Sequence, residues 1–211
     1  MKQTYRIAMT LTMLAAVGCG DGDGEVDDEE MSDLPVRVIS MREPVTFTSF
    51  EDMVFSSDLV IEGRVVAQNR GELRGEGPDG LGGVQFAETT VKVDRVLAGT
   101  VDPDTVTVES MGWTSVGRPI EFLDGSTHHI HTAGERAIFH LVKTRRPDDR
   151  VVYRLTSSQG KFIYGPDGAL RATRTEDPLV MEMAALPAVE VERRITSAAA
   201  ARQIGRRDPV Y

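Results

Sequence analysis

The sequence predicts a mainly β (α+β) protein: a small antiparallel barrel or sandwich, with a short helix before the strands and a longer one after them. Two observations carry this. Short β-rich runs punctuated by turn residues recur from residue 59 to residue 172, and helical spacing appears only at either end of that region. A third sets the scale. The chain has 211 residues and one cysteine, enough length for a real core and no internal disulfide to staple it.

The elements follow in order. Thr48-Ser49-Phe50-Glu51 has capping-box spacing, with Thr48 as the cap, and predicts a short helix through Ser56. Leu59 to Ala67 is β-rich and reads as a strand. Between Val84 and Leu97, Thr89, Val91 and Val93 alternate with Thr90, Lys92 and Asp94, the pattern of a half-buried strand. Thr105 to Glu109 is another, after the Asp102-Pro103-Asp104 turn. Ala137–Val142, Val151–Leu155 and Lys161–Tyr164 add three more, and the Gly165-Pro166-Asp167-Gly168 turn leads to Ala169-Leu170-Arg171. Pro187 suits the first turn of a helix spanning about 187–204, in which Val191, Ile195 and Ala198 share a face. Glu190 and Glu192 lie early and Arg202 late, as the helix dipole favours.

The net charge of −9 is unevenly placed. Residues 19–35 hold eight of the 33 acids and none of the 24 bases, and Lys2 and Arg6 precede them. From Val36 onward, 25 acids face 22 bases, so this part is near neutral and has no basic field to gather phosphates; nucleic acid is not an expected partner. The acids between Gly20 and Pro35 alternate with glycine and carry few large apolar residues, the composition of a disordered, extended tether.

The first 18 residues have a basic start, with Lys2 and Arg6, then an apolar run of 12 residues from Ile7 to Gly18. A spanning helix needs roughly 20 apolar residues, so this is the length of a signal-peptide core instead. Ala16-Val17-Gly18-Cys19 then resembles the lipobox of bacterial lipoproteins. The resemblance covers residues 1–19 and implies cleavage before Cys19, diacylglycerol on its sulfur and acyl chains such as palmitate. Two or three chains anchor stably, because each buried methylene contributes about 0.8 kcal/mol. Gly20 after the cysteine implies the outer membrane, if the organism has one. The expected organisation is therefore a signal peptide at 1–18, a lipidated cysteine and acidic tether at 19–35, a barrel at 36–172 and a C-terminal segment at 173–211.

The order of segments 57–65, 91–99, 105–108, 134–139 and 159–162 resembles a group of uncharacterised bacterial exported proteins. These are related to OB-fold barrels of the netrin or metalloproteinase-inhibitor type. The resemblance spans about residues 50–172 and implies an OB-like barrel rather than an activity. The animal inhibitors bind a metal through an N-terminal cysteine; here the lipid takes that sulfur.

Gly75-Glu76-Gly77-Pro78-Asp79-Gly80 spells G-x-G-x-x-G, but Pro78 and Asp79 interrupt it and a strand follows. A dinucleotide site needs a helix there, so no nucleotide is expected. His128-His129-Ile130-His131 holds three of the four histidines. On a strand His129 and His131 would share a face, and neutral imidazole suits zinc, copper or nickel, with Asp124, or His128 in a loop, as a further ligand. The alternative is a polar loop that binds nothing specific. Trp113, read in a loop, is either a core plug or a contact residue on a binding surface. Arg145-Arg146 and Arg206-Arg207 read as solvated surface. No G-x-S-x-G elbow is present, and Ser110 and Ser115 have no evident base.

The function these features predict is a membrane-anchored envelope lipoprotein whose barrel binds a protein, peptide or glycan without catalysis. The alternative is a metal-binding protein, or a metal-dependent envelope hydrolase using His128, His129 and His131.

Overall fold

A computed structural model of the chain describes residues 46–75, 83–102, 104–114, 117, 120 and 131–205. All of them fall in the unit Val36–Tyr211. Cys19, Asp124, His128, His129, most of the 75–80 glycine motif and the Arg206-Arg207 pair lie outside the described residues.

Seven strands make one sheet: β1 (Leu59–Arg74), β2 (Val84–Ala98), β3 (Thr105–Thr114), β4 (Arg136–Arg145), β5 (Val151–Leu155), β6 (Lys161–Tyr164) and β7 (Leu170–Ala172). Their order is β1-β2-β3-β5-β4-β6-β7, and β4 also pairs with β1. The first five therefore close into a barrel-like ring, its β3–β5 seam made by the Val108–Tyr153 pair. Every pairing is antiparallel except β3 with β5, which meet in parallel at Val108 and Tyr153. On its second edge β4 carries β6 at residues 137–139 and β5 at residues 141–145.

Several strands outrun the apolar pattern that announced them. The expected strand over residues 59–67 continues to Arg74, because β2 supplies hydrogen-bonding partners along the polar stretch up to the Arg74–Val84 pair. The strand beginning at Thr105 likewise runs to Thr114, so Trp113 lies on β3 and not in a loop.

The barrel has apolar residues on two sides. Leu59, Ile61, Val65, Val91, Val108, Phe139, Leu141 and Tyr153 fill the interior. Alternation turns Val60 and Ile138 outward, into a second cluster with Phe162 and the helices. That double burial explains why Leu59-Val60-Ile61 reads as a continuous apolar run.

Helix α1 (Phe50–Ser56) begins one residue later than the capping box suggested. Ser49, extended at φ −133° and ψ 150°, is the cap, and its Oγ accepts from the Asp52 amide at 3.1 Å. This phase buries Phe50, Met53 and Val54 on one face. Ser49→Ala removes the partner of that amide and should lower stability by about 1 kcal/mol in urea unfolding. Helix α2 (Pro178–Ala184) was not expected from the sequence; Asp177 caps it, Pro178 opens it, and Val180 and Met183 are buried. Helix α3 (Ala188–Gly205) lies within a residue of its expected bounds and buries Val191, Ile195 and Ala198. Arg202 in its last turn donates to the Ser57 carbonyl oxygen at 2.7 Å. Among the described residues no helix is long and apolar enough to cross a membrane.

Candidate functional site

Val106 and Val108 of β3 point into the barrel, so alternation puts Glu109 on the opposite face. Yet its side chain is 0% exposed. A carboxylate removed from water costs several kcal/mol unless cations and hydrogen bonds replace the water. Three arginines do this from three places in the chain. Arg74, at the end of β1, donates at 3.1 and 3.2 Å. Arg146, just after β4, donates through Nε at 2.8 Å and also through Nη2. Arg154, on β5, donates at 2.5 Å. Burial alone would raise the Glu109 pKa, but the bonds and charges of Arg154 and Arg146 outweigh it and hold the carboxyl below its ordinary value.

The ion pairs continue outward. Glu88 stands opposite Glu109 across the β2–β3 ladder. Two like charges at such a position repel, and arginines separate them. Arg146 Nη2 lies 3.0 Å from Glu88, and Arg150 grips the same carboxylate with two bonds of 2.9 Å. Glu72 takes Arg74 at 2.9 Å and Arg146 at 3.6 Å, and Asp148 takes Arg150 at 3.6 Å. The Phe86 ring lies under two of these guanidiniums, with Arg74 4.6 Å and Arg154 5.7 Å from its centroid.

Beside this network is a cavity of about 450 Å³, within the usual range for a ligand site. Its charged walls are Arg70, Arg146, Arg150, Glu72, Glu88 and Asp148. Gly71 and Pro147 complete them. The groove thus lies between the far half of β1, one position of β2 and the 146–150 loop. At its rim Arg70 lies over the half-buried Trp113 ring, 5.2 Å from the centroid, and reaches the Gly117 carbonyl oxygen at 3.4 Å.

The expectation for Arg145-Arg146 holds for one member only. Arg145 is exposed and pairs with Asp149, whereas Arg146 is 7% exposed and lies under the network. Its burial follows from Glu109, whose charge needs a cation at that depth.

Of the histidine segment, only His131 is among the described residues. It precedes β4 outside any strand and is buried. Its Nδ1 faces the Lys161 ammonium at 3.1 Å and Glu135 at 3.6 Å, and its ring meets Phe139 edge-on. An ammonium has only donors, so Nδ1 accepts here, a poor setting for a metal at that atom. Lys161, 2% exposed, also bonds Glu135 at 3.1 Å. Burial pushes the Lys161 pKa down, partly offset by Glu135. Among the described residues no three His, Cys, Asp or Glu side chains converge as metal ligands.

Compared with known proteins, the chain matches no family model, and no curated protein is significantly similar to it. Fold and site define its class: a mainly β, barrel-like protein with an ion-paired groove on its outer face.

Proposed function

We propose that the protein is an exported lipoprotein, cut before Cys19 and held on the membrane by lipid on that sulfur. Its barrel is a non-enzymatic module that binds a protein, peptide or glycan of the cell envelope. The lone cysteine placed directly after the small residues that end an apolar run supports the anchor. The groove walled by Arg70, Arg146 and Arg150 against Glu72, Glu88 and Asp148 is the observation that carries the binding role. Its chemistry suits recognition better than catalysis. Guanidinium does not give up its proton near neutral pH, and Glu109 behind it is held ionised, so neither is poised for proton transfer.

Anchoring is tested by fractionation and mass spectrometry. Wild-type protein should sediment with membranes and begin at an acylated Cys19, and Cys19→Ser should release it to the soluble fraction. A chain that keeps residues 1–18, or a bare thiol on the exported form, defeats the lipoprotein reading. Binding is tested by pulling down envelope components with the solubilised full-length protein. Material lost when Arg70 and Arg150 are both changed to Glu belongs to the groove, and capture that survives both changes argues against it.

A further inference from the structure

The groove's charges are almost fully engaged with one another. Arg146 is held by Glu109, Glu88 and Glu72, and Arg150 by Glu88 and Asp148. Along its lining three guanidiniums alternate with three carboxylates, so a strongly charged peptide or a phosphate chain meets no wall of a single sign. Its uncharged lining is Gly71 and Pro147, which make no deep apolar pocket for the anchor residue on which protein partners depend.

What the groove presents is a set of flat polar edges, with those of Arg146 and Glu88 held at its inner wall. A carboxylate in an ion pair keeps unused lone pairs, and a paired guanidinium keeps unused N–H groups. Neighbouring hydroxyls on a sugar ring both donate and accept, so they match such edges without needing a charge. Of these side chains, Arg146 and Glu88 are largely buried and ordered in advance by their pairing, which lowers the entropic cost of binding along that wall. Arg70 differs from the other two arginines. Among the described residues it has no carboxylate partner, and its bond to Gly117 at 3.4 Å leaves donors to spare beside the Trp113 ring.

We infer that the groove takes a glycan, a polyhydroxylated chain lying along the Glu72, Glu88, Asp148 and Arg150 edges, with Arg70 donating to a hydroxyl or a sugar carboxylate. This rests on the binding-module reading and names its ligand class. Trp113 is the only tryptophan in the chain, so its fluorescence reports on the rim of the groove.

The test titrates detergent-solubilised full-length protein with chitotetraose, cellotetraose and tetragalacturonate, and separately with a tryptophan-free mixture of random heptapeptides. Fluorescence and calorimetry are read together. At least one saccharide should give a saturable change, and Arg70→Ala and Arg150→Ala should each weaken it roughly tenfold, the effect of losing one charged hydrogen bond. Unchanged circular dichroism would show that both variants fold. A response to peptides alone overturns the glycan but leaves a binding module. Silence toward both, or saccharide binding that neither substitution weakens, removes the groove as the site.

Discussion

Glu109→Ala should lower the unfolding free energy by about 3 kcal/mol, near the bottom of the range for removing one partner of a buried ion pair. Three arginines converge on this carboxylate, and its loss does not affect them equally. The side chains of Arg74 and Arg154 are 29% and 41% exposed and can turn toward water. Arg146, at 6%, cannot, and among the described residues it keeps Glu88 at 3.0 Å and Glu72 at 3.6 Å. The cost therefore falls mainly on Arg146, and a double-mutant cycle checks it. Glu109→Met with Arg146→Met should recover much of the loss, because two apolar side chains of similar length leave no uncompensated charge. Arg154→Ala should cost less than about 1 kcal/mol, as expected for a pair open to solvent on one side. Urea unfolding of these three variants and of the two single methionine changes decides the matter. If Glu109→Ala costs no more than Arg154→Ala, the buried carboxylate is not the centre of the network.

Glu109 also shows where sequence reading reaches its limit. The barrel was legible because strand alternation and turns are local; Val151–Leu155 and Lys161–Tyr164 have the bounds that the residues predicted. So was the buried face of α3, since helical spacing is local too. The groove was not. Its walls come from β1, β2 and the loop after β4, the network behind it adds β3 and β5, and only ring closure brings Arg74, Glu109 and Arg146 together. One local hint existed: Glu109 follows the alternating Thr105-Val106-Thr107-Val108 run, and whether such a residue meets water or a cation depends on what later folds over it. Helix α2 was missed for a related reason. It is seven residues long, too short for periodicity to register, although Asp177-Pro178 is a cap followed by a first-turn proline. Lys161 reads locally as part of a strand, and nothing nearby in sequence foretells that Glu135 and His131 enclose its ammonium.

The fold should also lose about 3 kcal/mol between pH 6.5 and pH 4 through His140 alone. This side chain is 0% exposed, edge-on to Phe50 and Phe162 at 5.6 and 5.9 Å, with Nδ1 3.3 Å from the Gly160 carbonyl oxygen. That carbonyl only accepts, so Nδ1 carries the proton; Nε2 is buried with no partner among the described residues. Burial lowers the His140 pKa from 6.5 to about 4, only partly opposed by the Gly160 bond. Below pH 6.5 the unfolded chain gains a proton here that the folded chain does not accept until about pH 4, so stability falls by up to about 1.4 kcal/mol per pH unit. The buried carboxylates act in a different window. Glu62, Glu109 and Glu135 are held below their ordinary value of 4.5, so their contribution is full above that pH and fades as pH drops through their lowered values. Histidine therefore dominates the slope at the upper end of this window, the carboxylates join as pH nears 4.5, and the difference between wild type and His140→Phe isolates this one. Its larger ring will shift stability at every pH, but the slope in that window should flatten relative to wild type. Urea midpoints at pH 7, 5.5 and 4.5 give the answer: equal slopes in the two proteins would mean that His140 takes up its proton in the folded chain as readily as in the unfolded one.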